Sequence, residues 1–147
     1  MADLQRFAYF AHFISKRFEA PRVFDVAGGM GKLNVELTTL GHRVTTFDKR
    51  HKHLPVPYAQ REFTLGEPCE ADIVVGMHPD GATRVIIEYA AHHRLPFAVV
   101  PCCSDNSMSY KQWMRFLGEH ATSLGFTEVA EDVLPMRGRS RILLGRF

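Results

Sequence analysis

The most constraining feature of the sequence is residues 23–50, VFDVAGGMGKLNVELTTLGHRVTTFDKR. A short apolar run, Val23-Phe24-Asp25-Val26-Ala27, lies between Pro21 and Gly28 and reads as a buried parallel strand. The glycine-rich turn Gly28-Gly29-Met30-Gly31 follows, and then Leu33, Leu37 and Leu40 recur on one helical face. Gly41 stands where a left-handed helix stop belongs, and a second strand over 43–47 closes on Asp48. Glycines let backbone N–H groups approach a ligand, and a helix N-terminus adds partial positive charge. With a right-handed crossover, Asp48 lies beside the turn, where a carboxylate can hold both hydroxyls of a ribose. The unit therefore predicts a nucleoside-containing cofactor.

Glycine spacing narrows the choice. A dinucleotide fingerprint needs G-x-G-x-x-G, and no third glycine follows Gly31, which disfavours a nicotinamide oxidoreductase. The order from Asp25 to Gly31 resembles motif I of the class I S-adenosylmethionine-dependent methyltransferases, D-x-G-x-G-x-G, with Ala27 in place of the first glycine. Read alone, that substitution is a mild one that adds a methyl group. Asp48 matches the acid that this family carries after its second strand. The resemblance implies S-adenosyl-L-methionine as cofactor, contacted by Asp25, Ala27, Gly28, Gly29, Gly31, Asp48, Lys49 and Met77. In the residues themselves the same pattern also fits a tight strand–helix turn of any α/β domain.

The remaining chain alternates in the same way. Residues 1–18 carry Leu4, Phe7, Ala11, Ile14 and Phe18 at helical spacing. Asp3 and Glu19 weigh against a presequence or a membrane-surface helix, so a helix packed on the sheet is expected. Residues 71–77 and 96–101 read as buried strands. Between them, Asp80 is expected to cap a helix that runs to His93 or Arg94. Ser109 and Gln112 fit a capping box opening a helix with Tyr110, Trp113 or Met114, Leu117, Ala121 and Leu124 buried. Strands over 126–134 and 140–147 form a final hairpin. The fold class expected is α/β: one domain over 1–147, a doubly wound, mostly parallel sheet ending in an antiparallel hairpin.

The stretch 51–68 departs from the methyltransferase pattern, which places a helix and the third strand there. Pro55, Pro57, Gly66 and Pro68 leave at most a short strand over 62–65. This shortening leaves the adenine-side contacts unassigned. The link is also basic, with His42, Arg43, Lys49, Arg50, His51, Lys52, His53 and Arg61 against Asp48 and Glu62. A solvated loop and a phosphate-attracting rim are both open readings, and the second makes residues 42–61 one wall of an RNA entrance. Arg137, Arg139 and Arg141 crowd the hairpin, again as a solvated turn or as an RNA contact.

A second cluster is expected at the C-terminal ends of the strands. Gly76-Met77-His78-Pro79-Asp80-Gly81-Ala82-Thr83 resembles the G-x-H-x-C-G-x-x-(T/S) turn of a methyltransferase group that includes eukaryotic tRNA ribose 2′-O-methyltransferases. Pro101-Cys102-Cys103 is similar to its paired-cysteine segment, while Asp80 stands where the group has cysteine. His78 and Asp80 are the catalytic candidates. His78 suits a base at neutral pH, or equally a hydrogen-bonded turn histidine; Asp80 is a helix cap first and a substrate contact second.

Composition excludes little more. At 147 residues and 46% hydrophobic the chain can bury a core without disulfides, and its formal charge of +2 does not by itself imply nucleic acid. Three cysteines make no secreted disulfide framework, and Cys102 and Cys103 read as small buried hydrophobes. The histidines and cysteines lack zinc-ligand spacing, so no metal is expected. No apolar run reaches the ~20 residues of a membrane helix, so no membrane partner is expected either. A cytoplasmic location is expected, with organelle import left open. A cofactor- or partner-binding module without catalysis is the alternative to an enzyme.

Overall fold

The computed structural model describes residues 3–102 and 108–147. Met1, Ala2, Cys103 and the polar stretch 104–107 therefore lie outside the described residues. Chain order is α1 (Arg6–Arg17), β1 (Arg22–Val26), α2 (Lys32–Thr39), β2 (Arg43–Asp48), β3 (Tyr58–Gln60) and β4 (Ile73–Met77). A single 3₁₀ turn (Asp80–Ala82) leads into α3 (Thr83–His93), followed by β5 (Phe97–Val100), α4 (Tyr110–Ser123), β6 (Glu128–Val133) and β7 (Arg141–Arg146). The sheet runs β3-β2-β1-β4-β5-β7-β6. β1 to β5 are parallel, and β7 inserts antiparallel between β5 and β6. This is the doubly wound sheet with a terminal hairpin that the alternation of the sequence predicts.

Side-chain alternation divides the core in two. On one face Phe10, Ala11 and Ile14 of α1 and Leu33 and Leu37 of α2 pack against Val23, Val44, Ile73 and Val75. On the other, Ile86, Ile87 and Tyr89 of α3 and Trp113, Met114 and Leu117 of α4 meet Phe24, Val26, Phe47, Val74, Phe97 and Val99. The reversal of strand order between β1 and β4 opens the crevice at the C-terminal ends of the strands, where ligands of such sheets bind.

Two expectations need correction. The third strand is Tyr58–Gln60, not 62–65. Pro57 supplies only a carbonyl, which accepts the Thr46 N–H at 3.1 Å, so it can precede a strand on the sheet edge where no donor is required of it. Over 62–65 the chain turns, with Gly66 N bonded to Thr64 Oγ1, and Phe63 points inward. No helix lies between β2 and β3 or between β3 and β4, and an aromatic group fills part of that space. Phe63 packs edge-on against Phe47 (5.0 Å between centroids) and Tyr89 (4.7 Å), whose hydroxyl donates to the Glu67 carbonyl. The second correction concerns Asp80, which caps nothing. It lies in the left-handed region at φ 51°, one 3₁₀ turn ahead of α3, and makes no cap hydrogen bond. The Ser109–Gln112 capping box and the left-handed stop at Gly41 are both present.

One polar chain, buried from Asn34 inward, ties α2, β2 and β1 together. Thr38 Oγ1 donates to Asn34 Oδ1, Asn34 Nδ2 to Thr46 Oγ1 at 3.0 Å, and Thr46 Oγ1 to Asp25 Oδ2 at 2.8 Å. Asn34 Nδ2 also reaches the carbonyls of Val44 and Pro57, so the same amide anchors the entry to β3. Replacing Asn34 with Ala removes the buried donor to Thr46 Oγ1 and to the Val44 carbonyl. We expect a loss of about 2–4 kcal/mol, read as a lower urea midpoint at unchanged slope. A midpoint equal to that of the wild type would show that the chain carries no stability.

Candidate functional site

The glycine turn rests on the carboxylate beneath it. A Cβ at Gly28 would lie 2.3 Å from Asp25 Oδ2 and 2.6 Å from Thr46 Cγ2, so only glycine fits. Ala27, just before it, is left-handed at φ 55°. Its replacement of the motif's glycine is therefore not the mild change that side-chain size suggests, since a left-handed L-residue costs roughly 1–2 kcal/mol. Gly31 is left-handed too, at φ 93°, and opens α2 with no side-chain cap and no acid in the first turn.

Asp48 closes the turn from the side. Its Oδ2 accepts the Gly29 N–H at 2.9 Å and its Oδ1 accepts the Arg50 N–H at 3.0 Å. A carboxylate offers about four lone-pair sites, so two remain for a ligand's hydroxyls. The link after β2 folds back over the turn: Leu54 N donates to the Met30 carbonyl at 2.8 Å, and the Tyr58 hydroxyl donates to the Gly29 carbonyl. His53 stacks flat on Tyr58, 3.6 Å between ring centroids.

His78 follows β4 in a left-handed conformation, φ 49°. Its Nε2 lies 2.9 Å from the carbonyl oxygen of Arg139 in the hairpin loop. A carbonyl only accepts, so Nε2 carries a proton; in the corresponding neutral tautomer Nδ1 holds the lone pair. Asp80 is exposed, and its Oδ1 accepts a hydrogen bond from Cys102 Sγ at 3.4 Å. Among the described residues, three of the four non-glycine residues at positive φ, namely Ala27, His78 and Asp80, thus cluster at this end of the sheet; the fourth, Arg94, ends α3.

Two cavities meet over this floor. One, of about 420 Å³, is bordered by Ala27, Gly28, Gly29, Asp48, Met77, His78 and Asp80, with Arg6 and Phe7 of α1, Met30, Lys32 and Arg50. The other, of about 870 Å³, shares Ala27, Asp48 and Asp80 and extends along Lys49 to apolar walls at Phe47, Phe63, Leu65 and Val85. Of the expected cofactor residues, Ala27, Gly28, Gly29, Asp48, Lys49 and Met77 line these spaces. Asp25 and Gly31 do not: Asp25 is fully buried under Gly28, and Gly31 lies against Val56. Both shape the turn from behind. The sequence reading missed Arg6, Phe7, Lys32 and the Phe63–Leu65 wall. Helical periodicity marks α1 as packed without showing which end reaches the crevice, and the wall has no motif.

The basic stretch 42–61 does not act as one wall. His42 is held at the far end of β2, its ring nitrogens bonded to the Ala20 carbonyl and Ser15 Oγ. Arg43 opens β2 beside Arg22, also away from the crevice. Arg61 is in a two-pronged ion pair with Glu67 at 2.6 and 2.9 Å. Of the hairpin arginines, Arg137 pairs with Asp3 and Arg141 with Glu131, whereas Arg139 lies over the Tyr110 ring at 3.9 Å. Among the described residues, no helix is long and apolar enough to cross a membrane.

No protein-family model matches the chain, and no curated protein sequence does. Solved structures do. Human N-acetylserotonin methyltransferase in complex with SAM is 19% identical, with a TM-score of 0.60 over 97% of this chain and 51% of that one. DesVI of Streptomyces venezuelae is 12% identical, with a TM-score of 0.69 over 97% of this chain and 92% of its own. The 1,6-didemethyltoxoflavin-N1-methyltransferase of Burkholderia thailandensis, with S-adenosylhomocysteine bound, is 18% identical, with a TM-score of 0.60 over 95% and 74%. The chain spans about half the length of the human enzyme and 55% of three further matched structures. At such identities the likeness establishes the fold, that of the class I methyltransferases.

Burial, chiefly, and the nearby Asp48 charge push the Asp25 carboxyl up to about 7, against the opposing hydrogen bond from Thr46. The sign follows. Between pH ~4 and 7 the unfolded chain has lost this proton and the folded one has not, so stability falls as pH rises through that window and is level above it. A rise from the ordinary carboxylate range to about 7 amounts to at most about 4 kcal/mol. Asp3, Glu67 and Asp72 are shifted downward instead and act below pH ~4. We expect Asp25→Asn to gain stability relative to wild type from pH 4 to 7 in urea titrations. A constant difference across that range would contradict the assignment.

Proposed function

We propose that the chain binds S-adenosylmethionine in the joined cavities and transfers its methyl group to an acceptor, with RNA the acceptor class favoured. The observation that carries this reading is the convergence of the Asp48 carboxylate, the open glycine turn and the strained His78 on one crevice. Strain of this kind is retained where surrounding structure enforces it, commonly at functional sites. In this reading Asp48 holds the ribose hydroxyls through its two unused lone pairs. Ala27 to Gly29 lie against the methionine portion, and Phe63, Leu65 and Val85 enclose the adenine. The cofactor, when bound, supplies an electrophilic methyl group on a sulfonium.

His78 then has a defined task. As the acceptor oxygen or nitrogen forms its bond to the methyl carbon and the carbon–sulfur bond breaks, His78 Nδ1 takes the acceptor's proton. The Nε2–H bond to the Arg139 carbonyl holds the ring in that tautomer and supports the imidazolium that results. Exposed Lys49, Arg50, His51 and Lys52, which follow β2 at the ligand end of the sheet, favour a phosphate-bearing acceptor such as RNA. The altered motif positions, Ala27 and Asp80, favour a second reading, a binding module without turnover.

Two variants test these assignments. Asp48→Ala removes two charge-assisted hydrogen bonds to ribose, about 1.5–3 kcal/mol each before water compensates, so calorimetry should show weaker S-adenosylhomocysteine binding by tenfold or more. Equal affinity would take Asp48 out of the site. His78→Asn should leave cofactor affinity and melting temperature near wild type while lowering single-turnover methylation by roughly 10²–10⁴-fold. Unchanged turnover with a lowered melting temperature would assign His78 to the scaffold alone.

A further inference from the structure

We infer that the methyl acceptor carries an anionic group, a phosphate or a carboxylate, that Arg50 and Lys32 hold beside His78. The inference rests on the cofactor reading above for what else occupies the cleft. Three cations, Arg6, Lys32 and Arg50, border the cavity that contains His78. Arg6 is partly engaged, donating to the Asp3 carbonyl and lying over the Phe7 ring at 4.3 Å. Among the described residues, the ion pairs include neither Lys32 nor Arg50. Arg17, Arg22 and Arg146, all away from the crevice, are paired with carboxylates, and so is Arg61, which borders the larger cavity.

Two carboxylates, Asp48 and Asp80, border the same cavity, so its three cations leave an excess of one positive charge, and among the described residues neither carboxylate is ion-paired with Lys32 or Arg50. Asp48 accepts backbone N–H groups, and Asp80 accepts the Cys102 thiol. S-adenosylmethionine does not correct the excess. It adds a sulfonium and an ammonium against one carboxylate, and that carboxylate can satisfy only one of the three side chains. A loaded cleft therefore concentrates positive charge around His78. A neutral or cationic acceptor leaves that excess standing. An acceptor with an anionic group relieves it and is oriented by doing so, which brings its nucleophile to the Nδ1 side of His78.

The test is a titration of the S-adenosylhomocysteine-loaded protein at low ionic strength, followed by backbone amide shifts. The probes are inorganic phosphate, acetate and a short 5′-phosphorylated single-stranded RNA. Saturable binding that shifts Lys32, Arg50 and His78 is expected, and the tightest probe separates a phosphate from a carboxylate and a polymer from a small molecule. Lys32→Gln combined with Arg50→Gln should weaken that binding by ~10-fold or more, with Arg43→Gln, at the opposite end of β2, without effect. Equal affinity in wild type and double variant, or no saturable binding by any probe, would overturn the inference. Anion binding at Lys32 and Arg50 in a protein that fails to bind S-adenosylhomocysteine would uphold the anion site and sink the cofactor reading. Cofactor binding without anion binding would do the reverse.

Discussion

The hydrogen-bonded chain from Thr38 through Asn34 and Thr46 to Asp25 is the interaction on which the crevice depends. It runs from Thr38 on the exposed side of α2 inward to Asn34, Thr46 and Asp25, which are buried, and each of its links has a donor and an acceptor in place. Buried polar groups satisfied in this way fix one arrangement, because any slip leaves them unpaired. Asp25 then sets the height of the glycine turn, since Gly28 sits almost in contact with its carboxylate. Through Pro57 the same amide fixes where the third strand begins. The glycine turn, Asp48 and Tyr58 are thereby held at mutually fixed positions without a helix between β2 and β3.

Strain is the counterpart of that rigidity. Ala27, His78 and Asp80 hold left-handed backbone conformations that cost a side-chain-bearing residue about 1–3 kcal/mol each. Each is held by neighbours: Ala27 is followed by Gly28, whose N–H donates to the Phe47 carbonyl, and the His78 N–H donates to the Val100 carbonyl. Thr83 Oγ1 donates to the Asp80 carbonyl. The hairpin loop adds a further hold, from the Arg139 carbonyl to the His78 ring, and Arg137 ties the same loop to Asp3 ahead of α1. An antiparallel hairpin at the chain's end and the segment at its start thus both reach the crevice.

Much of this was legible in the residues. Apolar runs bounded by glycine and proline located every strand but the third to within one or two positions, and the glycine turn with its two acids located the crevice. Three things were not legible, for physical reasons. Asn34 and Thr46 are ordinary polar residues until tertiary contact makes them partners, so nothing local marks them as a hub. The third strand is three residues long, too short for periodicity to reveal, and prolines that break helices are compatible with its edge position. Charge density along 42–61 suggested one basic wall, but a strand separates His42 and Arg43 from Arg50 by its full length, and pairing with Glu67 neutralises Arg61. Spacing in sequence does not report which end of a strand a charge occupies.

A crystal structure of the protein grown with S-adenosylhomocysteine tests the central claim most directly. The account predicts both ribose hydroxyls on the Asp48 carboxylate, the adenine between Phe63 and Val85, and the sulfur turned toward Nδ1 of His78. A ligand bound with Asp48 still bonded only to the Gly29 and Arg50 amides, or with its sulfur directed away from His78, would contradict it.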